Sequence, residues 1–254
     1  MPTATNRGLD LRYKTAGEGP TVVFVNDVGY GAWLWGWHHD ALASCERVVW
    51  DLRGTGESDT PQGPYDVETL AGDLEAVLSA HGVANAHLVG AGLGGMVALQ
   101  YAHEYKRART LTLYNTAASG DAVDAGALDA LALDNGPTQS LAGAFSPRFR
   151  EQATDIVDRI TEWREAEDAT GDAFAAQAAA MTDFEAPPLY EVTLPTEVYY
   201  GVEDPVVPSE AAESLAADLP RGEATAVEGR HLSFVEHATA VTDRLAAFLD
   251  VHAG

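Results

Sequence analysis

A glycine cluster between a predicted strand and a predicted helix constrains the fold of this chain more than any other feature. Residues 90–95 read GAGLGG; Ala86–Val89 before them reads AHLV, and Met96–Tyr105 after them has the composition of a helix. Glycine permits the sharp turn and the close backbone approach that a direct strand-to-helix connection needs. The pattern therefore predicts strand, tight turn and helix, the repeating unit of α/β folds.

Other short β-branched runs lie on both sides of this unit and are bounded by polar or Gly-containing turns, as buried parallel strands are. Apolar residues recur at helical spacing within Val67–His81, which predicts a helical crossover, and a final amphipathic helix is predicted over Ala238–Leu249. This alternation predicts a mostly parallel, doubly wound sheet. The predicted strands are Thr21–Val25, Arg47–Trp50, Ala86–Val89, Thr110–Tyr114, Thr196–Tyr200 and Ala224–Val227.

The pattern changes between residues 121 and 188, where Ala-rich, acidic segments contain no convincing strand. Gly136-Pro137, Ser146-Pro147 and Pro187-Pro188 interrupt these segments, which are predicted to be helical. Because the sheet pattern resumes afterwards, we expect residues 121–188 to form a helical cap inserted within a single domain of residues 1–254.

The glycine cluster is compatible with two kinds of site. Gly90, Gly92 and Gly95 satisfy the G-x-G-x-x-G dinucleotide fingerprint, in which a pyrophosphate lies at a helix N-terminus. However, the next strand runs to Asn115 without an acidic residue for a ribose hydroxyl. The alternative is a nucleophile elbow, G-x-S-x-G, whose middle residue offers its side chain above the sheet. Gly92 is that middle residue.

Further motifs favour the elbow because they follow one another in a characteristic order along most of the chain. They resemble the α/β-hydrolase superfamily, and most of all its 3-oxoadipate enol-lactonase branch. The resemblance implies an α/β-hydrolase fold, a helical cap and a lactone or ester substrate. The motifs are NDVG at 26–29, DLRGTGESD at 51–59, GPY at 63–65, HLVG at 87–90, NTAA at 115–118, GVEDP at 201–205 and HLSFVE at 231–236.

The resemblance assigns two residues of a hydrolytic triad, the acid Asp204 and the histidine His231, in the chain order of this fold. A triad histidine removes a proton from the nucleophile, while a buried carboxylate holds its tautomer. Glycine has no side chain and cannot form an acyl-enzyme, so the nucleophile position at Gly92 is vacant.

The oxyanion hole is assigned to the backbone N–H groups of Leu93, which follows the elbow, and Val28 on the early loop. Asp27 departs from the family, because a carboxylate beside a developing oxyanion is unfavourable unless it points away. Asp27, Trp33 and Trp163 are assigned to the substrate pocket, with burial against the cap as the alternative for Trp33. Four arginines are candidates for binding a substrate carboxylate, although surface pairing is their expected role: Arg148, Arg150, Arg159 and Arg164.

Three explanations fit the absent nucleophile. In the first, His231 activates a water molecule that fills the space left by a serine, which makes the chain a hydrolase-like enzyme. In the second, the protein is a non-catalytic ligand binder or sensor. In the third, His231 and Asp204 perform proton transfer as in a lyase, isomerase or cofactor-free oxygenase. A serine-to-glycine substitution made in an ordinary hydrolase gives the same sequence. We adopt the first explanation as the working hypothesis.

Charge limits the partners, because 39 acidic residues face 15 basic ones and the formal net charge is −24. Such a field repels nucleic acid and anionic membranes. Its self-repulsion is tolerable in concentrated salt, where the Debye length falls to about 3 Å at 1 M, so we expect a salt-adapted cell. A GC-rich genome is the alternative explanation of the scarcity of lysine.

The amino terminus lacks the pattern of a secretory signal, so a cytoplasmic location is expected. The single Cys45 excludes an internal disulfide. The expected partner is a small-molecule substrate or ligand, and no cofactor is expected. The sequence is compatible with a homo-oligomer. No metal is expected either, since the adjacent His38, His39 and Asp40 rarely converge on an ion without further ligands.

Overall fold

The computed structural model describes residues 1–39 and 41–252, and Asp40 lies outside the described residues. Eight strands of the described part form one sheet in the order β1-β2-β4-β3-β5-β6-β7-β8. The strands are β1 (Thr3–Asn6), β2 (Leu9–Ala16), β3 (Thr21–Val25), β4 (Glu46–Trp50), β5 (Ala86–Ala91), β6 (Ala108–Tyr114), β7 (Thr196–Gly201) and β8 (Gly222–Val227).

The sheet is parallel from β4 to β8, with β2 antiparallel to β4 and β1 antiparallel to β2. The central strands β3 and β5 are buried almost throughout, as expected for strands covered by helices on both faces. Because the parallel strands run the same way, the loops after β3, β5, β6, β7 and β8 all leave from one edge. The candidate site lies at that edge.

The α-helices cover the sheet and connect its parallel strands. Helix α2 has both ends where the sequence predicts them: Asp66 caps the first turn by accepting a hydrogen bond from Thr69 N–H, and Gly82 ends the helix at φ 79°. The helices are α1 (Gly36–His39), α2 (Val67–His81), α3 (Leu93–Glu104), α4 (Ala125–Asp129), α5 (Leu141–Ala144), α6 (Pro147–Gln152), α7 (Thr154–Glu167), α8 (Gly171–Thr182), α9 (Ser209–Asp218), α10 (Ser233–Glu236) and α11 (Ala238–His252).

The strand-to-helix unit at the glycine cluster is tighter than predicted. Strand β5 continues to Ala91 and helix α3 begins at Leu93, so Gly92 alone makes the turn. Gly94 and Gly95 lie inside the helix. A Cβ at Gly94 would overlap the carbonyl oxygen of Val25 at the end of β3, so these glycines serve close packing of the helix on the sheet.

Strands β1 and β2 are elements that the sequence analysis missed. Leu9, Leu11 and Tyr13 alternate with polar residues, the pattern of a strand with one buried face, and Leu11 and Tyr13 are buried. This period-two signal is short, and it differs from the continuous β-branched runs that mark the buried parallel strands.

Helices α4 to α8 and three short 3₁₀ segments lie between β6 and β7, in residues 121–188 and just beside them, and we call residues 121–188 the insertion. Helix α8 packs on α3, and α7 packs on the 3₁₀ segment Ala32–Trp35 of the loop after β3. The insertion therefore lies over the edge where the candidate site is. Within the described residues, no helix has the length and apolar character needed to cross a membrane.

Candidate active site

Gly92 occupies a sharp turn between β5 and α3, with φ 47° and ψ −115°. Its N–H donates to the carbonyl of Tyr114, and its carbonyl accepts a hydrogen bond from the hydroxyl of Thr116. A residue other than glycine is strained at this φ. In a nucleophile elbow that strain is part of the turn that presents the nucleophile to the site. Here the turn is present without a side chain to present.

The carboxylate of Asp27 fills the space in front of this turn. Its Oδ1 accepts hydrogen bonds from Val28 N–H at 2.6 Å and Leu93 N–H at 2.9 Å. Its Oδ2 lies 2.8 Å from Nε2 of His231. A Cβ built on Gly92 would overlap the carboxyl group of Asp27, far inside any non-bonded contact. A side chain at position 92 therefore requires the carboxylate of Asp27 to leave its present position.

This arrangement changes two sequence predictions. The N–H groups of Val28 and Leu93 converge as the oxyanion hole requires, but the oxygen that they bind belongs to Asp27. Asp27 points into the site, whereas the hydrolase hypothesis needed it to point away. The space in which His231 was expected to hold water is occupied by that carboxylate, because glycine at position 92 leaves it room.

Asp204 and His231 form a hydrogen-bonded pair on the side of the imidazole ring opposite Asp27. Nδ1 of His231 is 2.9 Å from Oδ2 of Asp204, and both side chains are fully shielded from solvent. Val206 N–H donates to Oδ1 of Asp204 at 2.8 Å, and the amide of Asn115 donates to its Oδ2 at 2.8 Å. The loops after β6, β7 and β8 thus bring these residues into one hydrogen-bonded group.

Asn115 is a site residue that the sequence analysis did not assign. It directly follows β6, and its amide donates to Asp204 from the adjacent strand end. Its φ of 50° is unusual for a residue other than glycine, and asparagine tolerates this conformation better than most. The sequence signal available for Asn115 is a polar residue directly after a buried strand, next to the strand that carries the acid.

His231 lies between two carboxylates and is held in the charged form. Burial by itself would lower the pKa of His231, but the carboxylates of Asp204 and Asp27 outweigh burial and raise that pKa from 6.5 to about 10. At neutral pH the ring is therefore an imidazolium that donates to Asp204 from Nδ1 and to Asp27 from Nε2. In this resting state it has no lone pair with which to accept a proton.

Tyr30 is a second unassigned residue near this group. Its side chain is buried, and its hydroxyl has no hydrogen-bond partner among the described residues. Burial raises the pKa of Tyr30; the guanidinium of Arg164 opposes this, and the carboxylates of Asp27, Asp168 and Asp204 raise it further. The hydroxyl stays protonated at neutral pH and is an unused hydrogen-bond donor beside the site.

The cavity beside Trp33 and Trp163 does not include Asp27 among its described lining residues. Both line a cavity of about 360 Å³ between β2, β4 and α7, whose lining residues include neither Asp27 nor His231. The indole N–H of Trp33 donates to Asp168 at 2.7 Å, which ties the ring to the residue that follows α7. Trp33 and Trp163 thus share one cavity with each other and not with Asp27, and the assignment of all three to a substrate pocket stays a prediction.

Arg164 also differs from the surface role expected for the arginines of the insertion. It is 1% exposed, pairs with Asp168 at 2.6 Å, donates to the hydroxyl of Ser140 and lies over the ring of Tyr30. The charge of Arg164 is therefore paired within the insertion and does not face a substrate. Arg159 lies over the ring of Trp163, and Arg148 donates to Gln152 on an exposed helix face.

The site contains few groups for a cofactor or metal. Among the described residues, no cluster of three His, Cys, Asp or Glu side chains has the arrangement needed to hold a metal ion. The glycines that suggested a dinucleotide contact protein instead: Cβ atoms at Gly90 and Gly95 would overlap Gly94 and Thr116. His38, considered with His39 and Asp40 as a metal ligand, is buried and bonds to Thr242, and Asp40 lies outside the described residues.

Comparisons with known proteins agree with this geometry at the level of the fold. The sequence model of the alpha/beta hydrolase family matches residues 22–244. The 3-oxoadipate enol-lactonase 2 of Acinetobacter baylyi is 28% identical over 259 residues, covering 97% of this chain and 96% of the relative.

Two solved structures superpose over almost the whole chain. A hydrolase from Pseudomonas aeruginosa PA01 has a TM-score of 0.87 at 28% identity, covering 97% of this chain and 96% of that protein. The enol-lactonase from Burkholderia xenovorans LB400 has a TM-score of 0.87 at 23% identity, covering 98% of this chain and 100% of that protein. The second likeness concerns the fold alone, and the predicted mostly parallel sheet of this fold class is confirmed.

Proposed function

The chain belongs to the alpha/beta hydrolase family, and from this premise we propose that it hydrolyses small-molecule lactones or esters with a reactive group made of Asp27, His231 and Asp204. Asp27 takes the place that the serine at the elbow would have, and water is the final acceptor. The lactone or ester class is supported by the similarity to an enol-lactonase, and it is an assignment by analogy.

One observation carries this proposal: a single carboxylate contacts both donors of the oxyanion hole and the triad histidine. A buried charge is costly unless it is paired and hydrogen-bonded, so a carboxylate with no role would be an expensive residue at this position. The oxygens of Asp27 have two N–H donors and an imidazolium as partners. A reactive carboxylate that is already held in place needs little reorganisation when it reacts.

His231 is proposed to act as the base only after Asp27 has lost its charge or moved. Two carboxylates raise the pKa of His231 to about 10 in the resting site. If Asp27 is neutralised, its contribution disappears and the pKa of His231 falls, although Asp204 still raises it. A lower pKa favours the neutral ring, which can take a proton from water. Asp204 remains in place throughout and orients the ring through Nδ1.

Substitution of Asp27 by Asn tests the proposal. Asparagine preserves the shape and an oxygen for Val28 and Leu93, but it removes the charge. We expect kcat/KM for p-nitrophenyl acetate and small lactones to fall at least about 10³-fold. Asp172→Asn, on the exposed side of α8, is the matched control and is expected to leave activity unchanged. Activity of Asp27→Asn within threefold of the original chain (roughly 0.6 kcal/mol) would contradict the proposal.

A non-catalytic ligand binder is the second candidate, because the oxyanion hole is filled by the protein itself and Asp27 and His231 are only 1% and 0% exposed. The same proteins separate the two functions. A binder predicts that a lactone raises the melting temperature of the original chain and of Asp27→Asn alike, without turnover in either. Turnover that requires Asp27 excludes the binder.

The composition also supports a proposed setting, the cytoplasm of a cell with concentrated salt. A net charge of −24 produces self-repulsion that added salt screens. We expect the melting temperature to rise steadily from dilute buffer to about 2 M KCl, where the Debye length is shorter still. A melting temperature that is independent of salt would remove the support for salt adaptation.

A further inference from the structure

We propose that the cavity beside α7 is a binding site for a small aromatic carboxylate, separate from the group formed by Asp27 and His231. Three of the five tryptophans of the chain, Trp33, Trp35 and Trp163, line this space of about 360 Å³, and we call it the tryptophan cavity. A volume of roughly 300 Å³ or more, with mainly apolar walls and a few polar groups, is typical of pockets for small ligands.

The floor of the tryptophan cavity is one face of two neighbouring antiparallel strands. Lys14 of β2 lies opposite Val49 of β4. Ala16 of β2 lies opposite Arg47 of β4. Side chains two positions apart in a strand point to the same face, so these four residues line the cavity together. The two basic residues are therefore diagonal neighbours on the floor.

The walls of the tryptophan cavity come from the loop after β3 and from α7. Trp33 and Trp35 lie on the 3₁₀ segment Ala32–Trp35. Trp163 and Glu167 are one helical turn apart on α7, so they share one face of that helix. The segment and the helix pack on each other, and together they enclose the space above the two strands.

The tryptophan rings offer apolar surface to a ligand. The indole N–H of Trp33 donates to Asp168 at 2.7 Å, and that of Trp35 donates to Asn26 at 2.8 Å, so both N–H groups already have partners in the protein. Trp33 and Trp35 are buried, which holds their rings in place before a ligand arrives. Flat apolar walls favour an aromatic ring, because such a ring packs on them in stacked or edge-to-face geometry.

The positive charge of the floor selects an anionic group on that ring. The chain has 15 basic residues against 39 acidic ones, so its overall field repels anions. Lys14 and Arg47 nevertheless line one cavity together with a single acidic residue, Glu167. Local charge of this sign compensates the overall repulsion for an anion, and it disfavours a cationic ligand.

Lys14 is placed to exchange its partner for a ligand carboxylate. Its Nζ lies 3.7 Å from Oε1 of Glu167, which is longer than a hydrogen bond, and its side chain is 52% exposed. An exposed ion pair contributes little to stability, so breaking it costs little when a carboxylate binds. Arg47 is held in the floor, where its Nε donates to the carbonyl of Ala16 at 3.3 Å and its charge adds to that of Lys14.

The first experiment titrates the unmodified protein with cinnamate in about 0.15 M KCl, where charges more than about 8 Å apart are largely screened and contacts within the cavity are not. We expect the indole N–H NMR signals of Trp33, Trp35 and Trp163 to shift, and the signal of Trp50, which does not line the cavity, to stay. Cinnamamide has the same ring without the charge and is expected to bind at least about fivefold more weakly. Equal affinity for the amide, tighter binding of cinnamylammonium, or unchanged signals of the three tryptophans would overturn the proposal.

The second experiment removes one of the two lysines at a time. We expect Lys14→Gln to raise the Kd of cinnamate about fivefold. Lys106→Gln removes the other lysine, which is exposed and does not line the cavity, and is expected to leave the Kd within about twofold. Equal losses of affinity in the two variants would overturn the proposal.

A third variant tests whether the tryptophan cavity is separate from the proposed reacting group. Asp27 does not line the cavity, so we expect Asp27→Asn to bind cinnamate with the Kd of the original chain. Binding is measured without turnover, and its outcome is therefore independent of the proposed hydrolytic function. Loss of cinnamate binding in Asp27→Asn would contradict a separate site.

Discussion

At the residue scale, Asp27 and Gly92 act as a pair in which one side chain takes the space that the other gives up. The resemblance to α/β-hydrolase motifs assigned roles to Asp204, His231, Leu93 and Val28, and those roles stay predictions. The structure brings the four residues together around Asp27 and the histidine ring. The direction of the Asp27 side chain was not predictable, because it depends on free space at residue 92, which is 65 positions away in sequence and is created by folding.

The pair predicts the outcome of restoring a serine. Gly92→Ser alone places a side chain on top of the Asp27 carboxylate, so we expect a destabilised protein without serine esterase activity. Gly92→Ser combined with Asp27→Gly frees the hole and the histidine, and should raise p-nitrophenyl acetate hydrolysis at least about tenfold over the single variant. A fluorophosphonate probe should label only the double variant. Equal activity of both variants would show that the two side chains do not compete.

Tyr30 offers a second residue-scale prediction with an internal control. Tyr30 and Tyr114 are both buried, and neither hydroxyl has a partner among the described residues. Of these two tyrosines, only Tyr30 has a pKa that the carboxylates of Asp27 and Asp204 raise. Removing an unsatisfied hydroxyl is expected to raise the unfolding free energy by about 1 kcal/mol in each Tyr→Phe variant. We expect kcat/KM to fall about tenfold in Tyr30→Phe alone. Equal kinetics in the two variants would show that the Tyr30 hydroxyl has no part in the reaction.

At the scale of elements, the insertion holds the loop after β3 from above. The side chain of Gln177 in α8 accepts from Gly29 N–H at 2.7 Å and donates to the carbonyl of Arg53 at 2.9 Å. Asp168, after α7, accepts from Gly31 N–H at 3.0 Å. The helices of the insertion follow from composition and its proline pairs, but these contacts do not, since Ala-rich helices such as α8 show little amphipathic pattern by which to choose a buried face.

This contact predicts the effect of shortening Gln177. Gln177→Ala leaves the buried N–H of Gly29 without its partner and leaves the Arg53 carbonyl with only the Tyr65 hydroxyl at 3.4 Å. We therefore expect the unfolding free energy to fall by about 1–3 kcal/mol. We also expect kcat/KM to fall, because Gly29 is next to Val28 in the oxyanion loop. Gln152→Ala, on the exposed face of α6, is the matched control. Urea unfolding and steady-state kinetics measure both effects. An equal loss of unfolding free energy in the two variants would show that α8 does not hold the loop after β3 through Gln177.

At the scale of the whole molecule, the alternation of strands and helices was enough to predict the parallel sheet, and it was not enough to find its antiparallel edge. Buried parallel strands are recognisable from continuous apolar runs, whereas β1 and β2 bury one face and leave a weaker alternating signal. The same limit applies to the site. The ends of the parallel strands indicate which residues lie at the edge of the sheet, but the contacts of those residues depend on side-chain packing, which the sequence pattern does not show.

The charged site makes the stability of the whole fold depend on pH. The pKa of His231 is about 10 in the folded protein, above the 6.5 of an unperturbed histidine, so its stabilising effect is complete below pH 6.5 and is lost as the pH rises through about 10. We expect the unfolding free energy from urea titrations to fall by a few kcal/mol (on the order of 3) between pH 7 and 10, and to fall less in Asp27→Asn. Parallel pH profiles of the two proteins would contradict this linkage.

The protonation state of His231 tests the central claim most directly, because it reports whether Asp27 lies against the histidine. Nitrogen-detected NMR of histidine-labelled protein distinguishes an imidazolium from a neutral ring. At about pH 8 we expect both ring nitrogens of His231 to carry protons in the original chain, and the pKa of the ring to be lower in Asp27→Asn. A His231 ring that titrates near its unperturbed value in the original chain would show that Asp27 does not occupy the oxyanion hole.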